Sequence, residues 1–306
     1  MQVPHEMAEL RSRVTIQELV SEAQALFPVA IKKNAFVLIR RGEYCYKVRR
    51  YNSQQEAEQQ LHLVSLASNM FAPCLGRINN FLVFEFIDTQ DQHVTIFNIG
   101  NFLVSLEAKA LPPKVTYRFS DWLNLLETRS VFQPATLDVA RQVFKHSLSS
   151  GVDWRLQYLD ALPRNFASVN DTLFCIDEKH LQIAPRGTSL AKPRRDLPTH
   201  EYHSLHKQYL SLSGQSPFRK EYLDLTTLFQ LTYALGHTAP DCTKRRYINW
   251  PWFYHARRVF LKLLPLSAGQ ALRELVPWTI FEYQVSMARY AKRTVISSKR
   301  HLRRQK

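Results

Sequence analysis

The most constraining feature of this 306-residue chain is a spaced set of polar side chains near its middle. Asp160 is followed five residues later by Asn165, and a second carboxylate, Asp177, ends the strand-like run 172–176. Residues 169–171 have the composition of a tight turn, so this segment predicts a β-hairpin between the amide and the second carboxylate. Aspartates and asparagines are common in loops, so this set alone does not indicate a functional site. The rest of the chain must supply further residues of the same site.

The stretch from Tyr158 to Asn165, Tyr-Leu-Asp-Ala-Leu-Pro-Arg-Asn, resembles the catalytic loop of protein-kinase-like phosphotransferases. The resemblance implies that Asp160 accepts the proton of a substrate hydroxyl, and that Asn165 and Asp177 hold Mg²⁺ at the phosphates of ATP. Arg164, next to the metal ligand, either touches the transferred phosphoryl group or an anionic substrate, or is an ordinary surface arginine. The other landmarks of the family are then expected upstream, in order.

A β-hairpin is predicted well upstream of this loop. Residues 36–39 and 44–48 are rich in aromatic and β-branched side chains and flank a turn at 40–43. Lys47 falls on the second strand, where a kinase-like fold places the lysine that binds the α- and β-phosphates. A lysine on a strand usually faces solvent, so this assignment depends on a partner carboxylate.

The next predicted element is a helix that begins at Ser53. Ser53 and Glu56 form a capping-box pattern, which gives Glu56 a local role. Glu58 lies three residues before Leu61 and so faces the apolar stripe of the helix, where a carboxylate needs a cation. We therefore predict that Lys47 pairs with Glu58, as the lysine of a kinase pairs with its helix glutamate. A shift of the helix by half a turn would make Glu56 the partner.

A second predicted hairpin, residues 74–78 and 81–87, resembles the last two strands of a kinase small lobe. Its end corresponds to the hinge whose backbone faces adenine, so Glu85 and Ile87 are nucleotide-binding candidates. Five strands and one helix are expected before residue 88, and mainly helices after it. The predicted fold is α+β and bilobal, with a small antiparallel-sheet lobe and a larger helical lobe. The expected divisions are an N-terminal lobe at 1–88, a helical lobe with the catalytic loop at 89–287 and a basic tail at 288–306.

Departures from the protein-kinase pattern indicate a branch of the superfamily. No glycine-rich G-x-G-x-x-G precedes Lys47, Leu162 stands where protein kinases have a lysine, Asp177-Glu178 replaces Asp-Phe-Gly, and Ala-Pro-Glu is missing. These changes resemble the kinases of aminoglycosides and sugars and the heptose and Kdo kinases of the lipopolysaccharide core. The resemblance implies an acceptor hydroxyl on a sugar of a lipopolysaccharide-core or lipid-linked glycan.

Two alternatives stay open at this point. The chain could be an inactive pseudokinase whose basic surface binds anionic lipid or nucleic acid, or it could be a protein kinase. The presence of Lys47, Asp160, Asn165 and Asp177 together favours an active enzyme. Leu162 and the missing Ala-Pro-Glu disfavour a protein kinase.

The formal net charge of +15 is unevenly distributed. After Glu282 the chain has no acidic residue, and it has eight cations: Arg289, Lys292, Arg293, Lys299, Arg300, Arg303, Arg304 and Lys306. A second basic cluster, residues 244–258, alternates cations with aromatic residues. Such a pattern suits an anionic membrane surface and also nucleic acid, although a solvated helix face with aromatic residues in the core explains it equally well. We expect the membrane surface rather than nucleic acid.

Targeting and redox signals are few. Residues 1–13 are polar and charged and predict no secretory signal, and no apolar run is long enough to span a bilayer. The cysteines are scattered without a C-x-x-C pair, which favours reduced thiols over zinc or redox chemistry. His200, His203 and His206 lack zinc-hydrolase spacing and are interpreted as surface residues. The expected location is cytoplasmic, with peripheral attachment to the inner membrane.

Overall fold

The computed structural model describes residues 15–27, 36–87, 94–111, 117–169, 172–213, 220–238 and 251–276 of the chain. It divides into two compact units, each made from two separate stretches of sequence. The first comprises Met1–Val115 and Trp154–Pro217, and the second comprises Thr116–Asp153 and Phe218–Lys306. The expected division at residues 88 and 288 stays a prediction.

The first unit contains a four-stranded antiparallel sheet in the order β1-β2-β4-β3. Its strands are β1 (Phe36–Arg41), β2 (Tyr44–Arg50), β3 (Cys74–Ile78) and β4 (Phe81–Glu85). Gly42, with φ of +60°, begins the two-residue turn between β1 and β2, where a positive φ matches the twist of the strands. Lys47 pairs in register with Leu38 on one side and Phe84 on the other, which places it on an inner strand.

Two helices accompany this sheet. The first, α1 (Ile16–Leu26), begins with a complete capping box between Thr15 and Glu18 and buries Leu19, Val20 and Ala23 against the sheet. The second, α2 (Gln54–Leu66), begins at Ser53, whose hydroxyl accepts from the Glu56 amide as predicted. The part of the chain described before residue 88 thus has two helices and four strands, where five strands were expected.

The rest of the first unit surrounds the predicted catalytic stretch. It contains α3 (Ile96–Glu107), β5 (Trp154–Tyr158), β6 (Phe166–Val169), β7 (Thr172–Cys175) and β8 (Leu181–Pro185). The helices α6 (Ala191–Asp196) and α7 (Thr199–Ser213) follow. Strand β5 pairs with β8, and the predicted hairpin is present as β6 and β7, with Val169 opposite Thr172. Asp160 therefore follows the end of β5, and Asp177 follows the end of β7.

The second unit is helical where the structure describes it. It contains α4 (Phe119–Thr128), α5 (Pro134–Ser149), α8 (Lys220–Thr238) and α9 (Pro251–Lys262), and residues 268–276 are also helical. Aromatic rings form its centre: Phe119 stacks on Phe229 at 5.0 Å, and Trp122 meets Tyr233 edge-on at 5.0 Å. Such pairs stabilise the interior beyond the area that they bury.

The described part of the basic aromatic cluster lies in the second unit, on α9. Phe253 and Tyr254 are buried, and Arg257 is buried too, in an ion pair with Glu274. The burial of these three residues agrees with the interpretation of the cluster as a helix with aromatic residues in the core. His255 and Arg258 are exposed on the surface. Residues 239–250 and the basic tail beyond 276 lie outside the described residues. Among the described residues, no helix has the length and apolar character to cross a membrane.

Candidate active site

Lys47 lies at the centre of a buried charge cluster in the first unit. Its side chain is 7% exposed, and its Nζ donates to the carbonyl oxygen of Ile176 at 2.6 Å and to Oε2 of Glu178 at 2.8 Å. Both acceptors belong to the segment that follows β7. The predicted phosphate-binding lysine is thus held directly by the loop that carries Asp177.

The predicted partner of Lys47 is corrected by this geometry. Glu58 is exposed on α2, because the buried face of that helix carries Glu56, Ala57 and Gln60. Glu56 is turned inward, but its carboxylate accepts from the backbone amide and the side-chain amide of Asn52 at 3.0 and 2.8 Å. Helix α2 reaches the cluster through Gln60 instead, whose amide donates to the carbonyl oxygen of Glu178 at 2.7 Å.

Arg49 is a second buried cation, which the sequence analysis missed. Its guanidinium contacts Oε1 of Glu178 at 2.5 Å and Oδ1 of Asp177 at 2.7 Å. The alternation of side chains along a strand places Lys47 and Arg49 on the same face of β2, and both contact the ring of Phe36. The Lys-Val-Arg pattern on a predicted strand was the signal that could have revealed Arg49.

The electrostatics of the cluster keep both carboxylates ionised. Burial alone would raise the pKa of Glu178, but the charges of Arg49 and Lys47 hold it below the ordinary value for glutamate. For Asp177, burial is likewise outweighed by the hydrogen bond from His180 and the charge of Arg49, which hold its pKa well below the usual range. Burial lowers the pKa of Lys47, and the charge of Glu178 opposes that shift.

Asp160 and Asn165 lie together beside this cluster. The side-chain amide of Asn165 donates through Nδ2 to the backbone carbonyl oxygen of Asp160 at 2.8 Å, and the backbone carbonyl oxygen of Asn165 accepts from the backbone amide of Ile176 at 3.0 Å. His180 Nε2 lies 3.2 Å from Oδ2 of Asp177 and 3.5 Å from Oδ2 of Asp160. The structure therefore brings Asp160, Asn165 and Asp177 together in one site.

Two cations contact the carboxylate of Asp160. Lys192, on α6, forms a salt bridge with Oδ1, and Arg164 Nη2 lies 3.7 Å from the same oxygen. The Lys192 side chain is 16% exposed, whereas that of Arg164 is 66% exposed. Sequence reasoning singled out Arg164 but missed Lys192, which is 32 residues beyond Asp160 and carries no motif signal.

The donor set suits Mg²⁺. Asp177 offers carboxylate oxygens, and Asn165 uses its amide nitrogen on Asp160, so the amide oxygen is the atom left for a metal. No group of three or more His, Cys, Asp or Glu residues in the described part of the chain forms a metal site. A site with few protein ligands is nevertheless typical of Mg²⁺, which keeps waters and takes substrate phosphates.

The two hinge candidates lie at the end of β4. The amide of Glu85 donates to the carbonyl of Pro73 at 2.9 Å, and that of Phe86 donates to the carbonyl of Cys45 at 2.9 Å. These two N–H groups are therefore used within the sheet. Ile87, half-buried, is the last residue described before position 94, and its role at adenine stays a prediction.

Comparison with known proteins gives a result only for solved structures, since no family model and no curated protein matches the chain. Choline kinase LicA from Streptococcus pneumoniae matches with a TM-score of 0.57 and 15% identity, over 81% of this chain and 98% of that one. A fructosamine-3-kinase structure from Haemophilus somnus matches with a TM-score of 0.54 and 15% identity, over 76% of this chain and 88% of that one. An aminoglycoside-3'-phosphotransferase of type VIII matches with a TM-score of 0.51 and 14% identity, over 70% of this chain and 97% of that one.

These similarities establish the fold. At identities this low, they show that the chain has the protein-kinase-like fold found in kinases of small molecules. The predicted resemblance and the α+β fold class are thereby confirmed. A structure of the same choline kinase, with a TM-score of 0.53 to this chain, is a complex with AMP.

The first prediction concerns the charge cluster. Glu178→Gln leaves Lys47 and Arg49 with one carboxylate fewer, and breaking a buried ion pair costs about 3–5 kcal/mol. We expect a loss of that size in the free energy of unfolding at pH 7, measured by urea denaturation. The matched control Glu58→Gln, on an exposed position, should change it by no more than about 0.5 kcal/mol.

The same variants give a pH test. The folded-state pKa of Glu178 is lowered, so its stabilising contribution is present above the unfolded pKa of about 4.3 and is lost as pH falls below it. The difference between wild type and Glu178→Gln should therefore shrink as pH falls below about 4.3. Equal losses for Glu178→Gln and Glu58→Gln at pH 7 would contradict the assignment of Glu178 as the buried partner.

Proposed function

We propose that the chain is an ATP- and Mg²⁺-dependent phosphotransferase that acts on a hydroxyl group of a sugar. The observation that carries this proposal is the convergence of Lys47, Asp160, Asn165 and Asp177 in one unit of a chain that has the fold found in small-molecule kinases. Lys47 is distant in sequence from the other three residues, and each of the four has the chemistry that its role in phosphoryl transfer requires. The AMP complex of a structural neighbour supports nucleotide as the phosphate donor.

The residues divide into three roles. Lys47, steadied by Glu178, binds the nucleotide phosphates; Asn165 and Asp177 hold the metal; and Asp160 orients the acceptor hydroxyl. When bound, Mg²⁺ neutralises charge on the phosphate oxygens and orients them for transfer. The buried cations on β2 fix Asp177 and Glu178 before substrate arrives, so little reorganisation is needed at the moment of reaction.

The proposed reaction is a displacement at the γ-phosphorus of ATP. The oxygen of the acceptor hydroxyl forms a bond to phosphorus, and the bond from phosphorus to the β,γ-bridging oxygen breaks with its electron pair, releasing ADP. The hydroxyl proton passes to the carboxylate of Asp160. The products are a sugar phosphate and ADP, and no oxidant or reductant is required.

For the acceptor we propose a sugar of a lipopolysaccharide-core or lipid-linked glycan. The support is the departure from the protein-kinase pattern, with Leu162 and Glu178 in place of conserved kinase residues, together with cations around Asp160. Arg164 is exposed beside Asp160, where it suits an anionic acceptor or the transferred phosphoryl group. The basic tail after Glu282 is proposed to hold the enzyme at the cytoplasmic face of the inner membrane, where cations gain roughly 1 kcal/mol each near anionic lipid.

One observation favours the pseudokinase alternative. Both oxygens of Asp177 already have partners, Arg49 on one and His180 on the other, and Asp160 is paired with Lys192. Such a network is stable without metal or nucleotide. Nucleotide binding is compatible with both proposals, whereas turnover of ATP distinguishes them.

The second prediction concerns the metal site. Mg²⁺ with ATP at 100 times its dissociation constant should stabilise the wild type by about 2.7 kcal/mol, measured as a rise in melting temperature. Asp177→Asn, which preserves the shape of the side chain, should remove most of that rise, because the amide is a weaker Mg²⁺ ligand. The control Asp224→Asn, on an exposed position of α8, should retain it. An undiminished rise in Asp177→Asn would exclude Asp177 as the ligand.

The third prediction concerns the tail. Truncation after Val285 removes eight cations and should weaken sedimentation with anionic vesicles, an effect that shrinks as salt shortens the Debye length. Turnover on a soluble acceptor fragment should be unchanged, because the proposed catalytic groups all lie well before the truncation point. Neutral vesicles serve as the control. Vesicle binding that resists both truncation and salt would rule out the electrostatic attachment.

A further inference from the structure

A lysine missing from the catalytic stretch has a spatial replacement. Protein kinases have a lysine two residues after the catalytic aspartate, and this chain has Leu162, which is buried. Lys192, from α6, reaches the carboxylate of Asp160 instead and forms a salt bridge with Oδ1. The ammonium group absent from position 162 therefore has a counterpart at this carboxylate, which is supplied by a later element.

Lys192 is more buried than Arg164, the other cation at this carboxylate. Its side chain is largely buried, while Arg164 is mostly in solvent and 3.7 Å from Asp160. Burial lowers the pKa of Lys192, and the charge of Asp160 opposes that shift. A desolvated ammonium group interacts more strongly with nearby charge than an exposed one does, because solvent screens it less.

The segment before α6 is tied to strand β5, which leads to Asp160. Ser189 is 1% exposed; its hydroxyl accepts from the amide of Tyr158 at 2.9 Å and donates to Oε1 of Gln157 at 2.8 Å. The amide of Ser189 donates to the same oxygen at 2.9 Å, and Gln157 donates in turn to Glu107 at 2.7 Å. The amide of Gly187, which has φ of +81°, donates to Glu107 at 3.0 Å.

This network determines where Lys192 can lie. Its members are buried polar groups that satisfy one another, and such networks rigidify the elements that they join. They join the first residues before α6 to the last residues of β5. The distance between Lys192 and Asp160 is therefore fixed by the interior of the unit and not by a flexible surface loop.

We propose that Lys192 is a catalytic residue that holds Asp160 and contacts the transferred phosphoryl group, in place of the missing lysine of the catalytic loop. This proposal rests on the proposed phosphotransferase function. During transfer, an N–H group of Lys192 donates to an oxygen of the γ-phosphoryl group as charge spreads over it. Asp160, released from part of that salt bridge, accepts the hydroxyl proton.

The test measures ADP release from Mg²⁺ and ATP, with water and with soluble core-oligosaccharide fragments as acceptors. Lys192→Met should lower kcat by about 100-fold, the effect of removing one donor to transition-state charge. The KM for ATP and the rise in melting temperature with Mg²⁺ and ATP should stay within about twofold of wild type, because the contact strengthens only in the transition state. Lys192→Arg should recover at least tenfold of the loss.

Two further variants separate catalysis from folding. Lys207→Met, at an exposed position of α7, should leave kcat unchanged. Ser189→Ala keeps Lys192 but removes the two hydroxyl hydrogen bonds that help to tie its segment to β5, and should lower kcat by about tenfold with the same KM for ATP. A loss of kcat that Lys192→Arg does not recover, or a loss of nucleotide binding in Lys192→Met, would overturn the proposed role.

The failure of the proposal is distinguishable from failure of the proposed function. A wild type that releases ADP while Lys192→Met does so equally well overturns the role of Lys192 alone. A wild type that binds Mg²⁺ and ATP but releases no ADP with any of these acceptors overturns the phosphotransferase function, and the role of Lys192 with it.

Discussion

Two buried cations facing two carboxylates organise the first unit of this protein. Lys47 and Arg49 project from one face of β2, and Asp177 and Glu178 come from the segment that follows β7. The partners are about 130 residues apart in sequence, with 131 between Lys47 and Glu178. Each of these charges would be costly to bury alone, and only their mutual pairing and the accompanying hydrogen bonds make the arrangement stable. The four-stranded sheet and the segment that follows the β6–β7 hairpin are therefore joined by ion pairs.

The carboxylate that pairs with Lys47 comes from a different element than in protein kinases. In protein kinases, a glutamate on the helix of the small lobe positions the lysine, so the position of that helix governs activity. Here the glutamate, Glu178, directly follows Asp177, the proposed metal ligand. Helix α2 contributes Gln60 to the backbone of Glu178 and not a charge to Lys47. Lys47, the proposed phosphate-binding lysine, is thus coupled to the proposed metal ligand through Glu178, the next residue of the chain.

Much of the fold followed from local sequence signals. The hairpins, the helix at Ser53 and the order of Asp160, Asn165 and Asp177 depend on turn residues, caps and spacing, which act over a few positions. The pairing of Lys47 could not be predicted in the same way. Glu56 and Glu58 lie on opposite sides of a helix, so a small error in the predicted rotation of that helix changes which of them faces Lys47. Neither is the partner, which is Glu178.

The residues missed by the sequence analysis differ in kind. Arg49 carried a local signal, because a period of two on a strand gives it the same face as Lys47. Lys192 carried none, since its approach to Asp160 depends on how α6 is tied to β5 through Ser189 and Gln157. Contacts of this type are determined by tertiary packing between distant segments, and a short stretch of sequence contains no signal for them. The fold was therefore more predictable than the partners of its charged groups.

The most direct test of this account is a double-mutant cycle on nucleotide affinity. The dissociation constant of Mg²⁺ and ATP is measured by calorimetry for wild type, Lys47→Met, Glu178→Gln and the double variant, and a parallel cycle replaces Glu178→Gln by Glu58→Gln. The account predicts a coupling energy of about 1 kcal/mol or more for Lys47 with Glu178, and additivity within about 0.5 kcal/mol for Lys47 with Glu58. Additivity in the first cycle, with coupling in the second, would contradict it.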